Sequence, residues 1–325
     1  HGFTRSPSDT NLYIKKVGTE IVILVLYVDD LVITGSSDNL VDDVKNDLKK
    51  SFDMTDLGLL HYCLGLEIWQ KKNHIFVSQM KYAKTLLEKY GMSDCKPMST
   101  PMEKGLQLSR FQDSPQVDGT HYRQLVGSLI YLTYTRPDLC FAVSYLARFM
   151  QEPKKCHWIA AKHVLRYVRG TVDFGLEYQK NTQFFLQGYT DSDYAGSVDD
   201  RKSTSGYVFH LGSGPISWIS KKQTVVALSS TEAEYRAARG AVCEAIWLRR
   251  ILADIGIPEE KPPIIHCDNQ GVLKLVKNPV FHERTKHIEV ECHYIREQVL
   301  NHQIQLQYCP TDSQIADILT KPLGK

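Results

Sequence analysis

Apolar residues in the first third of the chain recur with the spacing of β-hairpins, and amphipathic segments follow each hairpin. The first hairpin is predicted to turn at Val17-Gly18-Thr19 and the second at Lys71-Lys72-Asn73. Gly91 is positioned to end the second amphipathic segment. The predicted elements are, in order, strands at 11–15, 20–28 and 31–34, a helix at 38–50, strands at 61–69 and 74–79, and a helix at 80–90.

The middle of the chain combines a proline-containing segment with helical periodicity. Residues 97–119 contain three prolines among mixed polar residues, which predicts a linker and a domain boundary. Helices are then predicted at 121–134, 138–150 and 155–169, with Pro137 and Pro153 near the starts of two of them.

This middle segment is also the basic one. Residues 121–180 contain nine Lys or Arg and four Asp or Glu, a net charge of +5. A basic helix face can follow a phosphate backbone, although a solvated surface is the commoner explanation of such a face. The face of the third predicted helix carries Lys155, Lys162, Arg166 and Arg169.

From Phe184 onward, strands come first and then alternate with helices. Three early strands followed by this alternation favour one mixed sheet with helices on its faces, so we assign the chain to the α/β (mixed) class. The predicted elements are strands at 183–190, 206–212 and 215–223, a helix at 231–254, a strand at 263–267, helices near 269–277 and 285–300, a strand at 303–308 and a helix near 313–320.

Composition narrows the class of protein. The 325 residues are 42% hydrophobic and 23% charged, which predicts two or three globular domains and excludes a disordered or collagen-like chain. Charge is balanced at 39 Lys and Arg against 37 Asp and Glu, so any polyanion site must be local. The eight cysteines show no zinc-binding spacing and are expected to be reduced, intracellular thiols. The longest apolar run, 21–28, is too short to span a membrane, and we expect no membrane partner.

Four acidic residues fall at the ends of predicted elements in the last part of the chain. Asp191 and Asp268 follow strands whose carboxyl ends are expected to lie side by side, and Glu234 and Asp317 can approach from helices. Four clustered carboxylates repel one another unless cations neutralise them, and hard oxygen ligands suit Mg²⁺. Two such ions ~3.5–4 Å apart can clamp the attacking water and the leaving oxygen of a phosphodiester.

Each acid also has a structural interpretation. Asp191 and Asp193 can form an Asx-type turn, and Thr231 with Glu234 fits a capping box. Asp268 can cap the helix that follows it, and Asp317 can be a solvated helix residue.

The four acids lie in sequence blocks that resemble the ribonuclease H domain of copia-type retrotransposon polyproteins, in the same order and spacing. Two further stretches resemble that family, and in the first third YVDD and LGLEI resemble the reverse-transcriptase palm motif and primer-grip hairpin. The acidic blocks are YTDSDYAG at 189–196, SSTEAEY at 229–235, HCDNQ at 266–270 and ADILTK at 316–321. The other stretches are RKSTSGY at 201–207, TKHI at 285–288, YVDD at 27–30 and LGLEI at 64–68.

The resemblance implies a domain order. Residues 1–96 would be the end of a reverse transcriptase, with truncated palm and thumb, and residues 97–180 a linker and helical connection. Residues 181–325 would be a ribonuclease H-like mixed five-stranded sheet flanked by helices. The family also implies virus-like particles in the cytoplasm, or a nuclear location. The sequence gives no indication of oligomeric state.

The resemblance further implies hydrolysis of the RNA strand of RNA–DNA hybrids. The catalytic and metal-binding residues would be Asp191, Glu234, Asp268 and Asp317, with two Mg²⁺ ions, or Mn²⁺ as the alternative. Between Glu232 and Glu234, the sequence Ala-Glu-Tyr around Glu234 fits the family's block better. The predicted contacts to nucleic acid are Arg201, Lys202, Ser203, Thr204, Lys162, Arg166 and Arg169.

The resemblance leaves two other questions open. Many ribonuclease H enzymes carry a mobile His after the last strand, which is absent from Tyr308 to Asp312, so His287 or His293 would have to replace it. A catalytically inactive, nucleic-acid-binding remnant is the alternative function. An integrase or other transposase is disfavoured by the acid spacing and by the lack of a zinc-binding His/Cys pattern.

We predict that this chain alone does not extend a primer. By the resemblance, Asp29 and Asp30 are half of a polymerase site, whose other aspartate would lie on a strand before residue 1, in a reverse-transcriptase region missing from this chain. Incorporation of labelled deoxynucleotides on a primed template measures this activity. Incorporation above that of an Asp29→Asn variant would show that the half-site interpretation is wrong.

Overall fold

The structure, a computed structural model, describes residues 1–180, 182–257, 261–277 and 289–324. For residues 289–292 it describes the backbone alone. The chain forms two compact units, one of residues 1–61 and 244–262 and the other of residues 62–243 and 263–325. The domain boundaries at 96 and 180 stay a prediction. Within the part of the chain described, no helix is both long and apolar enough to cross a membrane.

The first unit contains a four-stranded antiparallel sheet whose strands lie in sequence order, as expected for successive hairpins. Val22 and Leu24 on one face of the sheet pack against Val44 and Leu48 on the helix, and all four are buried. The elements are β1 (Thr4–Arg5), β2 (Leu12–Val17), β3 (Glu20–Tyr27), β4 (Asp30–Gly35) and α1 (Asp38–Ser51).

The first part of the second unit is a helical core with a small antiparallel sheet. Tyr122, Leu129 and Leu165 are fully buried at the centre of this core. The elements are β5 (Tyr62–Cys63), β6 (Leu66–Gln70), β7 (His74–Ser78), α2 (Met80–Lys89), α3 (Gly119–Leu132), α4 (Cys140–Ala147), α5 (Lys155–Gly170) and β8 (Gly175–Gln179). Strand β8, which the apolar pattern did not indicate, pairs with β7 and completes the order β5-β6-β7-β8.

The segment predicted as a linker is packed against this core. Met102 and Leu108 are each only 2% exposed and belong to the same buried cluster as the helices. The backbone N–H of Leu108 also donates to the Tyr145 hydroxyl at 2.9 Å. Residues 97–119 therefore lack regular structure but are not a free tether.

The rest of the second unit is a mixed five-stranded sheet with helices, which confirms the predicted fold class. The sheet order is β11-β10-β9-β12-β13, with antiparallel pairs on one side of β9 and parallel pairs on the other. The elements are β9 (Leu186–Ser192), β10 (Thr204–Leu211), β11 (Gly214–Lys222), α6 (Ser230–Asp254), β12 (Ile264–Cys267), α7 (Gln270–Lys277), α8 (Glu289–Leu300) and β13 (Gln305–Tyr308). Residues 244–254 of α6 belong to the first unit. Helix α8 was predicted to begin near 285, but residues 285–288 lie outside the described residues.

The last predicted helix, near 313–320, is instead a short 3₁₀ helix at Ile315–Leu319. Pro322 disfavours helical geometry at the residue before it, so the segment has no room to extend into an α-helix. The Gln314 side chain accepts from the N–H of Ala316 at 3.2 Å and donates to the Thr190 carbonyl at 2.9 Å. The 3₁₀ helix is thereby fixed to the central strand β9.

Arg136 is a buried cation of the helical core, with a side chain only 4% exposed. Its guanidinium donates to the carbonyl and hydroxyl of Thr171 at 2.8 and 2.7 Å, and to the Asp138 carboxylate at 2.8 Å. The rings of Tyr167 and Phe174 lie 5.6 and 5.3 Å from the guanidinium carbon. Arg136 therefore ties the start of α4 to the segment that follows α5.

We expect Arg136→Met to lower the free energy of unfolding by about 3 kcal/mol, because it leaves the Thr171 acceptors and the Asp138 charge without their donor. Urea denaturation at pH 7 measures the change. Arg123→Met is the matched control, since exposed Arg123 donates to the Met150 carbonyl at 3.3 Å from the same unit. The control should lose less than about 1 kcal/mol, and equal losses would contradict the prediction.

Candidate active site

The carboxyl ends of two neighbouring parallel strands carry two of the predicted acids. Strands β9 and β12 pair in parallel, with His266 beside Tyr189. Asp191 lies near the end of β9 and Asp268 directly follows β12, so both emerge at the same edge of the sheet. Asp191 is 3% exposed and Asp268 is half-buried.

Helix α6 adds the third acid. A carboxylate oxygen of Glu234, the Sγ atom of Cys267 and a carboxylate oxygen of Asp268 all lie within 4.8 Å of one another. Glu234 is 7% exposed, and its Oε2 has no hydrogen-bond partner within the described part of the chain. Glu234 is therefore held beside Asp268 with an unused acceptor.

The 3₁₀ helix at Ile315–Leu319 adds the fourth acid. Asp317 forms an ion pair with Lys321, with Nζ 2.9 Å from Oδ1. The Thr320 hydroxyl, one residue before that lysine, donates to Asp191 Oδ2. A Cβ at Gly206 of β10 would lie 2.7 Å from the Leu319 Cβ, so glycine permits the 3₁₀ helix to approach this closely.

The pKa values show that these acids interact. Burial raises the pKa of Asp191 to about 6, and the charges of Asp317 and Asp268 add to the rise. Burial also raises the pKa of Glu234 to about 10, with contributions from the charges of Asp191 and Asp268. Charge interactions therefore link the four predicted acids, while the ligand atoms within 4.8 Å of one another belong to Glu234, Cys267 and Asp268.

Lys321 is the cation of this cluster. Burial lowers the pKa of Lys321, but the hydrogen bond with Asp317 and the charges of Asp191, Asp317 and Asp268 outweigh it, so the net pKa is raised. A lysine four residues after an acid is a usual pairing signal, which the sequence contained. The sequence contained no signal that Lys321 and Thr320 lie near Asp191. The hydrogen bond between Thr320 and Asp191 joins residues 129 positions apart.

Neighbouring residues fill the capping and turn roles that were considered for Asp191, Glu234 and Asp268. Glu232, not Glu234, closes the start of α6, since it accepts from Leu228 N–H at 2.8 Å and pairs with Arg236 at 3.0 Å. The capping hydroxyl is that of Ser229, which accepts from Glu232 N–H at 3.2 Å. The predicted Thr231–Glu234 capping box is therefore wrong.

Neighbouring residues also fill the structural roles at the turn after β9 and at the start of α7. Asp193, not Asp191, closes the turn by accepting from Thr204 N–H. Asn269, not Asp268, caps α7 by accepting from Val272 N–H at 3.2 Å. Asp191 and Asp268 are thus free of these structural roles.

The residues present suit a divalent cation. Carboxylate oxygens are the ligands that Mg²⁺ prefers, and Asp191, Glu234, Asp268 and Asp317 supply them. Glu234 Oε2 lacks a partner among the described residues, and a divalent cation would offset the burial and the mutual repulsion that raise the pKa values of Asp191 and Glu234.

The loop at 201–204 is divided between its exposed and buried members. Arg201 is exposed and Lys202 is half-buried. Ser203 and Thr204 are 0% and 1% exposed, and their hydroxyls accept from the Ala195 N–H and from Arg148 inside the fold. Burial gives these two predicted nucleic-acid contacts an internal role, so only Arg201 and Lys202 remain candidates for direct contact.

The basic face of α5 is partly used within the protein. Lys162 is half-buried, with its Nζ 5.6 Å from the centre of the Trp158 ring. Arg166 and Arg169 donate to backbone carbonyls of the segment 93–96. Their contact with nucleic acid stays a prediction.

The proposed polymerase half-site belongs to the first unit. Asp29 and Asp30 are exposed at the turn between β3 and β4, in the first unit, beside Val28 with its left-handed φ of 56°. His287 lies outside the described residues, and His293 is an exposed residue of α8. The structure therefore does not test the proposal that either histidine assists product release.

Residues 1–104 match the family model described as reverse transcriptase (RNA-dependent DNA polymerase). The whole chain is 42% identical over 324 residues to a retrovirus-related Pol polyprotein from transposon RE1 of Arabidopsis thaliana, and spans 22% of that protein's length. It is 35% identical over 246 residues to a putative transposon Ty5-1 protein of Saccharomyces cerevisiae, covering 75% of this chain and 80% of that protein.

Among solved structures, LC11-RNase H1 in complex with an RNA/DNA hybrid matches with a TM-score of 0.32 and 12% identity. That match covers 42% of this chain and 93% of the other. The sequence relatives establish the family: this chain belongs to the copia-type retrovirus-related Pol polyproteins.

Proposed function

We propose that Asp191, Glu234, Asp268 and Asp317 form the active site of a divalent-metal-dependent ribonuclease that hydrolyses the RNA strand of RNA–DNA hybrids. The observation that carries the proposal is the charge interaction among four carboxyl groups, two of them buried, around the carboxyl ends of β9 and β12. Such crowding opposes folding unless the site binds cations, and Asp191, Glu234 and Asp268 are free of the capping and turn roles that their neighbours fill.

The proposal gives roles to the bound metal, to the residues beside the acids and to the basic side chains. When bound, Mg²⁺ or Mn²⁺ supplies an activated water and stabilises the leaving 3′-oxygen. The Thr320 hydroxyl orients Asp191 through its hydrogen bond, and Lys321 balances part of the negative charge of Asp317. We propose that the phosphate backbone of the hybrid is contacted by Arg201, Lys202, Lys162, Arg166 and Arg169.

We further propose that the chain acts within a larger reverse-transcriptase polyprotein. The family match over residues 1–104 supports this, as does the small share of the polyprotein relatives that the chain spans. In that setting the exposed turn with Asp29 and Asp30 would contribute to the polymerase site.

Glu234→Gln and Asp191→Asn should each reduce cleavage of a labelled RNA–DNA hybrid in Mg²⁺ by about a hundredfold or more, because each removes a ligand charge worth several kcal/mol to the transition state. The matched control is Glu232→Gln, two residues away on the same helix, which should stay active because Glu232 pairs with Arg236. Circular dichroism checks that the variants fold. If the wild-type chain binds the hybrid but does not cut it, the inactive-remnant alternative replaces this proposal.

In metal-free buffer, stability should fall as pH rises. The folded protein keeps Glu234 protonated up to a pKa of about 10, whereas the unfolded carboxyl ionises near 4.5, so its contribution is full below 4.5 and is lost towards 10. Glu234→Gln should remove this loss of unfolding free energy, which is at most about 1.4 kcal/mol per pH unit.

Urea denaturation in a chelator at pH 5 and pH 8 tests this second effect. From pH 5 to pH 8, the difference in unfolding free energy between Glu234→Gln and wild type should shift in favour of the variant. The difference between Glu232→Gln and wild type should stay the same. A parallel change in wild type and Glu234→Gln would show that Glu234 ionises normally in the fold.

A further inference from the structure

A thiol lies inside the acid cluster. Cys267 is the last residue of β12 and is fully buried, and its Sγ is within 4.8 Å of carboxylate oxygens of both Glu234 and Asp268. Within the described residues, this thiol donates to the Asn269 carbonyl at 4.0 Å, a weak contact. The hydrolysis proposed above gives this sulfur no role.

A second observation points to a bound ion at the same place. Glu234 is 93% buried, its carboxylate belongs to this group of three ligand atoms, and its Oε2 has no partner within the described part of the chain. Asp268 is half-buried and so opens the group to solvent, with one oxygen accepting from the Thr311 hydroxyl at 2.9 Å. The group therefore has one member that is partly exposed to solvent and an unused, buried acceptor.

The combination of ligands selects a different class of ion from Mg²⁺. Mg²⁺ is bound by oxygen, whereas a thiolate beside two carboxylates suits Zn²⁺ and similar thiophilic cations. Zinc takes sulfur at ~2.3 Å and carboxylate oxygen at ~2.0–2.2 Å, so atoms already within 4.8 Å of one another need to close by about an ångström.

We propose that Glu234, Cys267 and Asp268 form a binding site for one thiophilic divalent cation such as Zn²⁺. On binding, the Cys267 thiol releases its proton to solvent and the sulfur electron pair forms the bond to the metal, with no change in oxidation state. An ion held there occupies the carboxylates of Glu234 and Asp268. If those carboxylates act as proposed above, Zn²⁺ therefore competes with Mg²⁺ and inhibits cleavage.

Binding of the metal alone tests the site without reference to cleavage. Isothermal titration of the full chain with Zn²⁺, in buffer with a non-thiol reductant, should show a site that Cys267→Ser weakens about tenfold or more. Co²⁺ should give a sulfur-to-metal charge-transfer absorption band in wild type that Cys267→Ser lacks. Cys309→Ser is the matched control, because Cys309 is a buried thiol that directly follows the adjacent strand β13 and lies outside the group, and it should keep both signals.

Three outcomes would overturn the inference: no charge-transfer band in wild type, equal Zn²⁺ affinity in wild type and Cys267→Ser, or loss of the band in Cys309→Ser alone. If Cys267→Ser does not fold, Cys267→Ala, which places no polar atom at the buried position, replaces it in both measurements. Asp191→Asn separates this site from the proposed hydrolysis, since it should lose cleavage and keep the thiolate band. Cleavage without a thiolate band would refute the zinc site and leave the nuclease proposal intact.

Discussion

The constraint on which the second unit depends is the crowding of four carboxyl groups at one edge of a buried sheet. Burial, with a smaller contribution from mutual repulsion, raises the pKa values of Asp191 and Glu234, and Lys321 and the Thr320 hydroxyl offset part of this rise. Placing these groups together does not favour folding, because isolated buried charge is destabilising. The site is therefore a place where folding stability and chemistry oppose each other.

The sheet meets this constraint through the arrangement of its strands. Because β9 pairs in parallel with β12 and antiparallel with β10, Asp191 and Asp268 emerge at one edge, while the close approach at Gly206 admits the 3₁₀ helix with Asp317. Neighbouring polar residues take over the local hydrogen bonding. Asp193, Glu232 and Asn269 close the turn and the helix starts, each one or two residues from a cluster acid.

Sequence periodicity was sufficient for the strands, the long helix and the mixed sheet, because these depend on local patterns of two and 3.6 residues. It could not separate capping acids from cluster acids, since Glu232 and Glu234 lie in the same helix turn and differ only in what tertiary structure brings near them. The same limit applies to Thr320, whose partner is 129 residues away, and to Ser203 and Thr204, whose burial depends on Arg148 and the turn after β9. The 3₁₀ helix and strand β8 were missed because short segments carry too few residues to show a period.

Lys321 has a consequence for the order in which the protein assembles. Small zinc domains remain unfolded until their ion binds, because the binding free energy of the ion is also their folding free energy. In this chain Lys321, together with the protons that Glu234 and Asp191 retain at low pH, balances the charge of the acids without an ion. If the acids bind metal as proposed, this unit can therefore reach its final shape first and take up its inorganic component afterwards.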